Sequence, residues 1–295
     1  MPVYNKQTAH GLLVLKETTG QRTEDIRVPI KEILRAGLFG VNISKEEQDG
    51  LERKYETIAV VLIKSAMERL EFLRGASKTT ELNMLHSVSR GFHSLYGEYN
   101  EDADLVSFIN KGEFNCHVST TVMADVITRQ GQQVRIIELQ HHVMLAMDNY
   151  ALETLFRSED RAIFPREEIE RKYSKRREGD MGLLLAMAWY NKGVELNTHS
   201  DKNKAIEAYE RALSIDPNLI GAWCNIGAVL YAKGIVGKAL ESYEKALKIN
   251  PNYVSALYGK GTVLNAIGLR KEAREIIAKA EEIEMNEEIT KRRRA

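Results

Sequence analysis

The chain has 295 residues, enough for two domains, and its 42 Lys and Arg balance 42 Asp and Glu, so no net field draws it to nucleic acid or an anionic membrane. The first residues lack the cationic and apolar pattern of a secretion signal, no apolar run reaches bilayer length, and Cys116 and Cys224 make no disulfide framework. The expectation is a cytoplasmic protein with reduced thiols. Residues 1–43 form an unassigned arm in which 12–15 and 26–30 read as short strands or loosely packed chain. Ser44 followed by Glu47 is a capping box that opens a helix. Leu51, Tyr55, Ile58, Leu62, Ala66 and Leu70 continue it as one buried stripe at steps of three and four. A second helix over 81–96 carries Leu82, Leu85, Val88, Phe92 and Leu95, and a short third spans 104–110.

Cys116 then opens an apolar, threonine-bearing helix that ends at Gly131, a residue suited to a left-handed cap. Residues 134–139, 142–147 and 150–155 read as three short strands, with Asp148 and Asn149 in a tight hairpin turn. A cysteine at a helix start, followed by a strand with His and a strand with an acid, is an arrangement that thiol chemistry can use. The helix N-terminus and a nearby imidazole activate the sulfur, and the acid orients the imidazole. A two-residue turn sets Met144 opposite Glu153 and makes His142 and Glu153 diagonal neighbours on one face; a three-residue turn would put His141 there. Cys224, in a repeat helix with no histidine near it in sequence, reads as core.

These residues carry a resemblance. The stretches Gly112-Glu113-Phe114-Asn115-Cys116, Gln140-His141-His142-Val143-Met144 and Ala151-Leu152-Glu153-Thr154 resemble the transglutaminase-like superfamily of papain-type cysteine enzymes over about residues 80–156. Where that family usually has glycine before Asn-Cys, this chain has Phe114. The resemblance implies Cys116 as nucleophile, His142 as general base and Glu153 as orienting acid. It is nearest to a bacterial branch in which such a domain precedes helical repeats. Cys116 with His117, and His141 with His142, would also offer ligands to a metal, but adjacent residues seldom point at one ion and no zinc-finger spacing occurs. No Gly-rich phosphate loop is present either, so neither metal nor cofactor is expected.

The charged stretch around Pro165 reads as a linker with a helical second half, assigned to residues 161–185. Beyond it the chain repeats at a step of 34 residues: Trp189, Trp223 and Leu257; Gly193, Gly227 and Gly261; Ala205, Ala239 and Ala273; Tyr209, Tyr243 and Ile277; Ala212, Ala246 and Ala280. Pro217 and Pro251 close the first two units, and Met285 replaces the third proline. This spacing resembles the tetratricopeptide (TPR) repeat, a helix, a turn and a helix. Three units approach the minimum stable stack, and the last helix runs on as a cap. Its Lys291, Arg292, Arg293 and Arg294 read as cations favoured at a helix C-terminus. Carrying over the groove positions of TPR proteins implies a lining of Tyr190, Val194, Cys224, Asn225, Ala228, Tyr231, Tyr258, Thr262 and Asn265. That lining lacks the charges of a chaperone-tail clamp and suits an apolar or tyrosine-stacked peptide.

The expected fold is α+β: a papain or transglutaminase-like domain with a small antiparallel sheet over 44–160, followed by an all-α TPR solenoid over 186–295. The expected function is cytoplasmic cysteine hydrolysis or acyl transfer on peptide or amide bonds, with the repeats recruiting a protein or peptide. The alternative is a TPR adaptor whose first domain keeps the shape without the chemistry.

Overall fold

The computed structural model describes residues 28–73, 80–96, 98–100, 103–139, 142–155, 162–173 and 176–294. Helix α1 (Val28–Leu38) buries Ile30, Ile33, Leu34 and Ala36. This corrects the expectation of a strand or loose arm over residues 28–30, because the apolar spacing continues past Ile30 at helical period, while 26 and 27 lie outside the described residues. The suggested segment at 12–15 lies outside the described residues. Helix α2 (Lys45–Leu73) begins at the expected box: Glu47 N–H donates to Ser44 Oγ at 3.2 Å and Ser44 N–H to Glu47 Oε2 at 2.8 Å. Tyr55, Leu62 and Ala66 are buried, while Leu51 and Ile58 are half-buried. Helix α3 (Thr80–Leu95) buries Leu85, Val88 and Phe92 but leaves Leu95 exposed.

Strands β1 (Glu98–Tyr99) and β2 (Glu113–Phe114) form a short parallel pair around α4 (Leu105–Lys111). Asp104 caps α4 by accepting from Ser107 N–H at 2.7 Å, and Gly112 ends it at φ 78°, a conformation that favours glycine. Helix α5 (Cys116–Thr128) is buried from Val118 to Ile127, packed by α2, α3 and strand β4. A helix walled on all sides has no solvent-facing polar stripe, and its Ser119, Thr120, Thr121 and Asp125 are buried with the rest.

Five antiparallel strands lie in the order β6-β5-β4-β3-β7: β3 (Arg135–Leu139), β4 (His142–Ala146), β5 (Tyr150–Leu152), β6 (Ile163–Pro165) and β7 (Arg177–Gly179). The expected linker is thereby corrected. Residues 163–165 and 177–179 supply both edges of the sheet, and α6 (Arg166–Lys172) joins them. Glu138 and Arg177 are register partners, and their side chains form an ion pair at 3.3 Å. Edge strands tolerate the charges and proline that made this stretch read as a connector.

The chain divides into two compact units between Leu185 and Ala186, within helix α7 (Met181–Thr198). The second unit continues as α8 (Lys202–Ile215), α9 (Ile220–Ala232), α10 (Val236–Ile249), α11 (Val254–Ala266) and α12 (Arg270–Arg294). Its glycine column lies under its tyrosine column. A Cβ on Gly193 would fall 2.5 Å from Tyr209 Cε1, one on Gly227 3.0 Å from Tyr243 Cε1, and one on Gly261 2.6 Å from Ile277 Cγ1. The tryptophan column is covered in the same repeating manner. Arg211 sits 4.5 Å from the Trp189 ring centroid and Lys245 4.2 Å from that of Trp223. In the third unit, where Leu257 replaces Trp, Lys279 instead donates to the Pro251 carbonyl at 2.9 Å.

Candidate active site and repeat groove

Asn115 is the N-cap of α5. Its side-chain oxygen accepts from Val118 N–H at 3.0 Å and its amide donates to the Ala103 carbonyl at 2.8 Å. Cys116 therefore occupies the first turn of a helix whose start is fixed from both directions, with its half-buried thiol beside the helix N-terminal N–H groups. The preceding Phe114 is buried against Phe92, with centroids 5.0 Å apart and planes at 84°, and Phe92 in turn stacks on Phe108. An aromatic anchor thus stands where the resembled family has glycine, immediately before the cap.

The β4–β5 hairpin sets the partners. Ala146 pairs with Ala151, Leu145 with Leu152, and Met147 N–H donates to the Tyr150 carbonyl at 2.9 Å, so the turn has two residues, Asp148 and Asn149. The Glu81 carboxylate holds that turn, accepting from Asn149 N–H and Nδ2, both at 2.8 Å, and from Tyr150 N–H at 3.1 Å. With this register His142 and Glu153 share a face, and His142 Nε2 meets Glu153 Oε2 as an ion pair. Cys116 lies on the other side, close enough to the same imidazole to favour its protonated form. The structure therefore brings Cys116, His142 and Glu153 together. His141 lies outside the described residues.

Burial acts to strip the proton from His142, but the nearby Cys116 and Glu153 outweigh it and raise the imidazole from 6.5 to about 9. Glu153 is held in turn by Leu155 N–H, which donates to Oε1 at 3.3 Å. His117 has the opposite setting. Burial and the neighbouring His142 push it down to about 4, so it is neutral at physiological pH. Sequence reasoning weighed His117 only as half of a metal pair; its place one residue after Cys116 in the first turn was the available signal. Among the described residues no group of three His, Cys, Asp or Glu is placed to hold a metal ion. Behind the site, buried Tyr55 donates to Asp125 Oδ2 at 2.8 Å, and Arg129 bonds both Asp125 and Glu56, each at 2.8 Å. This network ties the far end of α5 to α2.

In the repeats, the residues expected to line a groove fall into two groups by exposure. Val194, Ala228, Thr262 and Asn265 are exposed, and Tyr190, Asn225, Tyr231 and Tyr258 are partly covered. Asn225 Nδ2 donates to the hydroxyls of Tyr190 and Tyr209, both at 3.3 Å, so it is engaged inside the stack. Tyr258 donates to Glu284 at 2.8 Å, which brings an acid from the capping helix to the third unit. Cys224 does not line the groove: it is buried, and burial raises its thiol to about 11. It shares its helix face with Gly227, three residues on and also buried.

Residues 201–234 match a family model described as TPR repeat, and residues 221–253 one described as Tetratricopeptide repeat. No curated protein matches the chain. Among solved structures, the chain is similar to the MamA protein at 33% identity, covering 34% of this chain and 55% of that one, with a TM-score of 0.32. It is also similar to the Sgt2 TPR domain from Aspergillus fumigatus at 30% identity, over 34% of this chain and 67% of that one, at a TM-score of 0.33. A third is the first TPR of Spaghetti (RPAP3) bound to the HSP90 peptide SRMEEVD, 21% identical over 34% of this chain and 80% of that one, at a TM-score of 0.33. The chain thus spans about half the length of the MamA chain. TPR repeats are present in the second unit, and such repeats are typical of protein-binding adaptors. The family matches fall on the repeats; the first unit is mostly helical around a small antiparallel sheet. No helix among the described residues is long and apolar enough to cross a membrane.

Proposed function

We propose that the first unit is a transglutaminase-like cysteine hydrolase or acyl-transfer domain acting on peptide or amide bonds, and that the TPR groove recruits its substrate or partner. The observation that carries this reading is the contact order thiol, imidazole, carboxylate, with the sulfur at a capped helix start. In the reaction, Cys116 Sγ attacks the carbonyl carbon while His142, raised to about 9, already holds the proton of the thiol–imidazole pair. His142 then returns that proton to the leaving amine as the C–N bond breaks, leaving a thioester. Water or a second amine attacks the thioester, His142 takes the incoming proton, and the sulfur is released with the proton returned to the thiol–imidazole pair. Glu153 holds the ring and stabilises its cationic form. N–H groups at the start of α5, such as that of Cys116, are the available donors to the oxyanion. A free thiol nucleophile also accords with a reducing, cytoplasmic setting.

The test is alkylation of the full chain by iodoacetamide across pH, with buried Cys224 as internal comparison. The proposal expects Cys116 to react near neutral pH at least about tenfold faster than a free thiol such as N-acetylcysteine, and His142→Ala to remove most of that advantage, while Cys224 stays slow in both proteins. Slow alkylation of Cys116 that does not depend on His142 leaves the TPR adaptor as the function, with a first unit that keeps the shape alone.

A further inference from the structure

Helical geometry places Ser119 and Thr120 one turn after Cys116 on the same face of α5, the face turned to the strands. Both are completely buried, as is Thr154. Ser119 Oγ donates to Thr154 Oγ1 at 2.8 Å, and Thr120 Oγ1 lies 2.9 Å from the same atom. Thr120 Oγ1 also reaches the Val143 carbonyl at 3.5 Å, and Ser119 Oγ the Asn115 carbonyl at 2.8 Å. The partners are adjacent in sequence to the centre: Val143 follows His142, Thr154 follows Glu153, and Asn115 precedes Cys116.

Burying three hydroxyls in place of methyl groups costs stability unless every one is bonded, so their clustering between helix and strands calls for a reason. The sheet itself offers one. The β4–β5 ladder ends at the Leu145–Leu152 pair, one residue before Glu153. Beyond it, Glu153 N–H bonds Ala162, on the side of the sheet away from His142. The ladder therefore leaves residues 153 and 154 to be set against α5 by side chains.

We propose that Thr154, clasped by Ser119 and Thr120, is a positioning residue that sets the acid-bearing segment against the cysteine helix and so places Glu153 on His142. The inference rests on reading Cys116, His142 and Glu153 as one chemical centre. The groups that face His142 are Cys116 and His117 from α5 and Glu153, with Leu139 opposite it on β3. Loss of the clasp moves only one of these charged groups, Glu153.

The experiment is NMR titration of the His142 imidazole in the full-length wild type, Thr154→Ser and Thr154→Val, read beside iodoacetamide alkylation of Cys116. Thr154→Ser keeps the hydroxyl and is expected to keep the wild-type midpoint. Thr154→Val keeps the shape and is expected to lower the midpoint by about one pH unit or more. Should Thr154→Val fail to fold, Ser119→Ala removes one of the two clasping bonds and is expected to lower the midpoint by a smaller amount. An unchanged His142 midpoint in every folded variant lacking a clasp hydroxyl overturns the proposal. A midpoint that falls in Thr154→Val while wild-type Cys116 alkylation proves independent of His142 supports the positioning role and removes the enzymatic reading, so the two failures are separable.

Discussion

His142 stands between burial, which favours the neutral ring, and its neighbours Cys116 and Glu153, which favour the cation and prevail. The folded value, about 9, lies above the unfolded value of 6.5, so the bound proton stabilises the fold fully below 6.5 and less and less as pH rises through 9. Wild type should accordingly melt above His142→Gln by the widest margin near about pH 6, with the gap closing by about pH 10. A margin that is constant with pH, followed by calorimetry, would sink this assignment. The two histidines at 141 and 142 illustrate what single residues disclose. Their types suggest chemistry, but the choice of His142 over His141 depends on turn length. The Ala146–Ala151 pairing decides it, through a turn that Glu81 holds from a helix 68 positions earlier in the chain. The hydroxyl clasp was equally hidden, because Ser and Thr in an apolar helix have the same letters whether they bond a strand or their own backbone.

At the scale of elements, the 34-residue columns were legible because they reflect local packing repeated three times. Gly193 and Tyr209 are 16 residues apart, as are Gly227 and Tyr243, and each pair is a close approach of two helices in one unit. This yields an opposed pair of substitutions. Gly193→Ala places a methyl against the completely buried Tyr209 ring and should destabilise the repeats by about 1–3 kcal/mol. Gly237→Ala, exposed in α10 with nothing within 4 Å, should stabilise them by up to about 1 kcal/mol through helix propensity alone. Thermal melting checks both, and a neutral Gly193→Ala would mean that the two helices part without cost. The two edge strands, three residues each, were not legible. Strands β6 and β7 have too few positions to display alternation, and Pro165, Arg177 and Glu178 are edge-strand residues that also suit a connector. Helix α1 was missed for a related reason: a window closing at Ile30 excludes Ile33 and Leu34, the next turn of the same buried face.

Across the whole molecule, each unit has a core of its own. One is centred on α5 and the sheet, the other on the alanine, glycine and tyrosine columns of the repeats. The repeat architecture was readable as a period, whereas the first unit required pairing between segments far apart in sequence, which no single periodicity encodes. Separate cores imply that chemistry and capture respond to different substitutions. Tyr231 is a half-buried residue of the groove proposed for the second unit, and on that proposal Tyr231→Ala should weaken binding of an apolar or tyrosine-rich peptide by about tenfold through lost aromatic contact. Iodoacetamide is too small to need the groove, so its rate at Cys116 should be the same in Tyr231→Ala and wild type. Conversely, Cys116→Ser should abolish thioester formation and leave peptide affinity unchanged when both are measured on the full chain. A Tyr231→Ala protein that alkylates slowly at Cys116 while its melting is unchanged would contradict this independence.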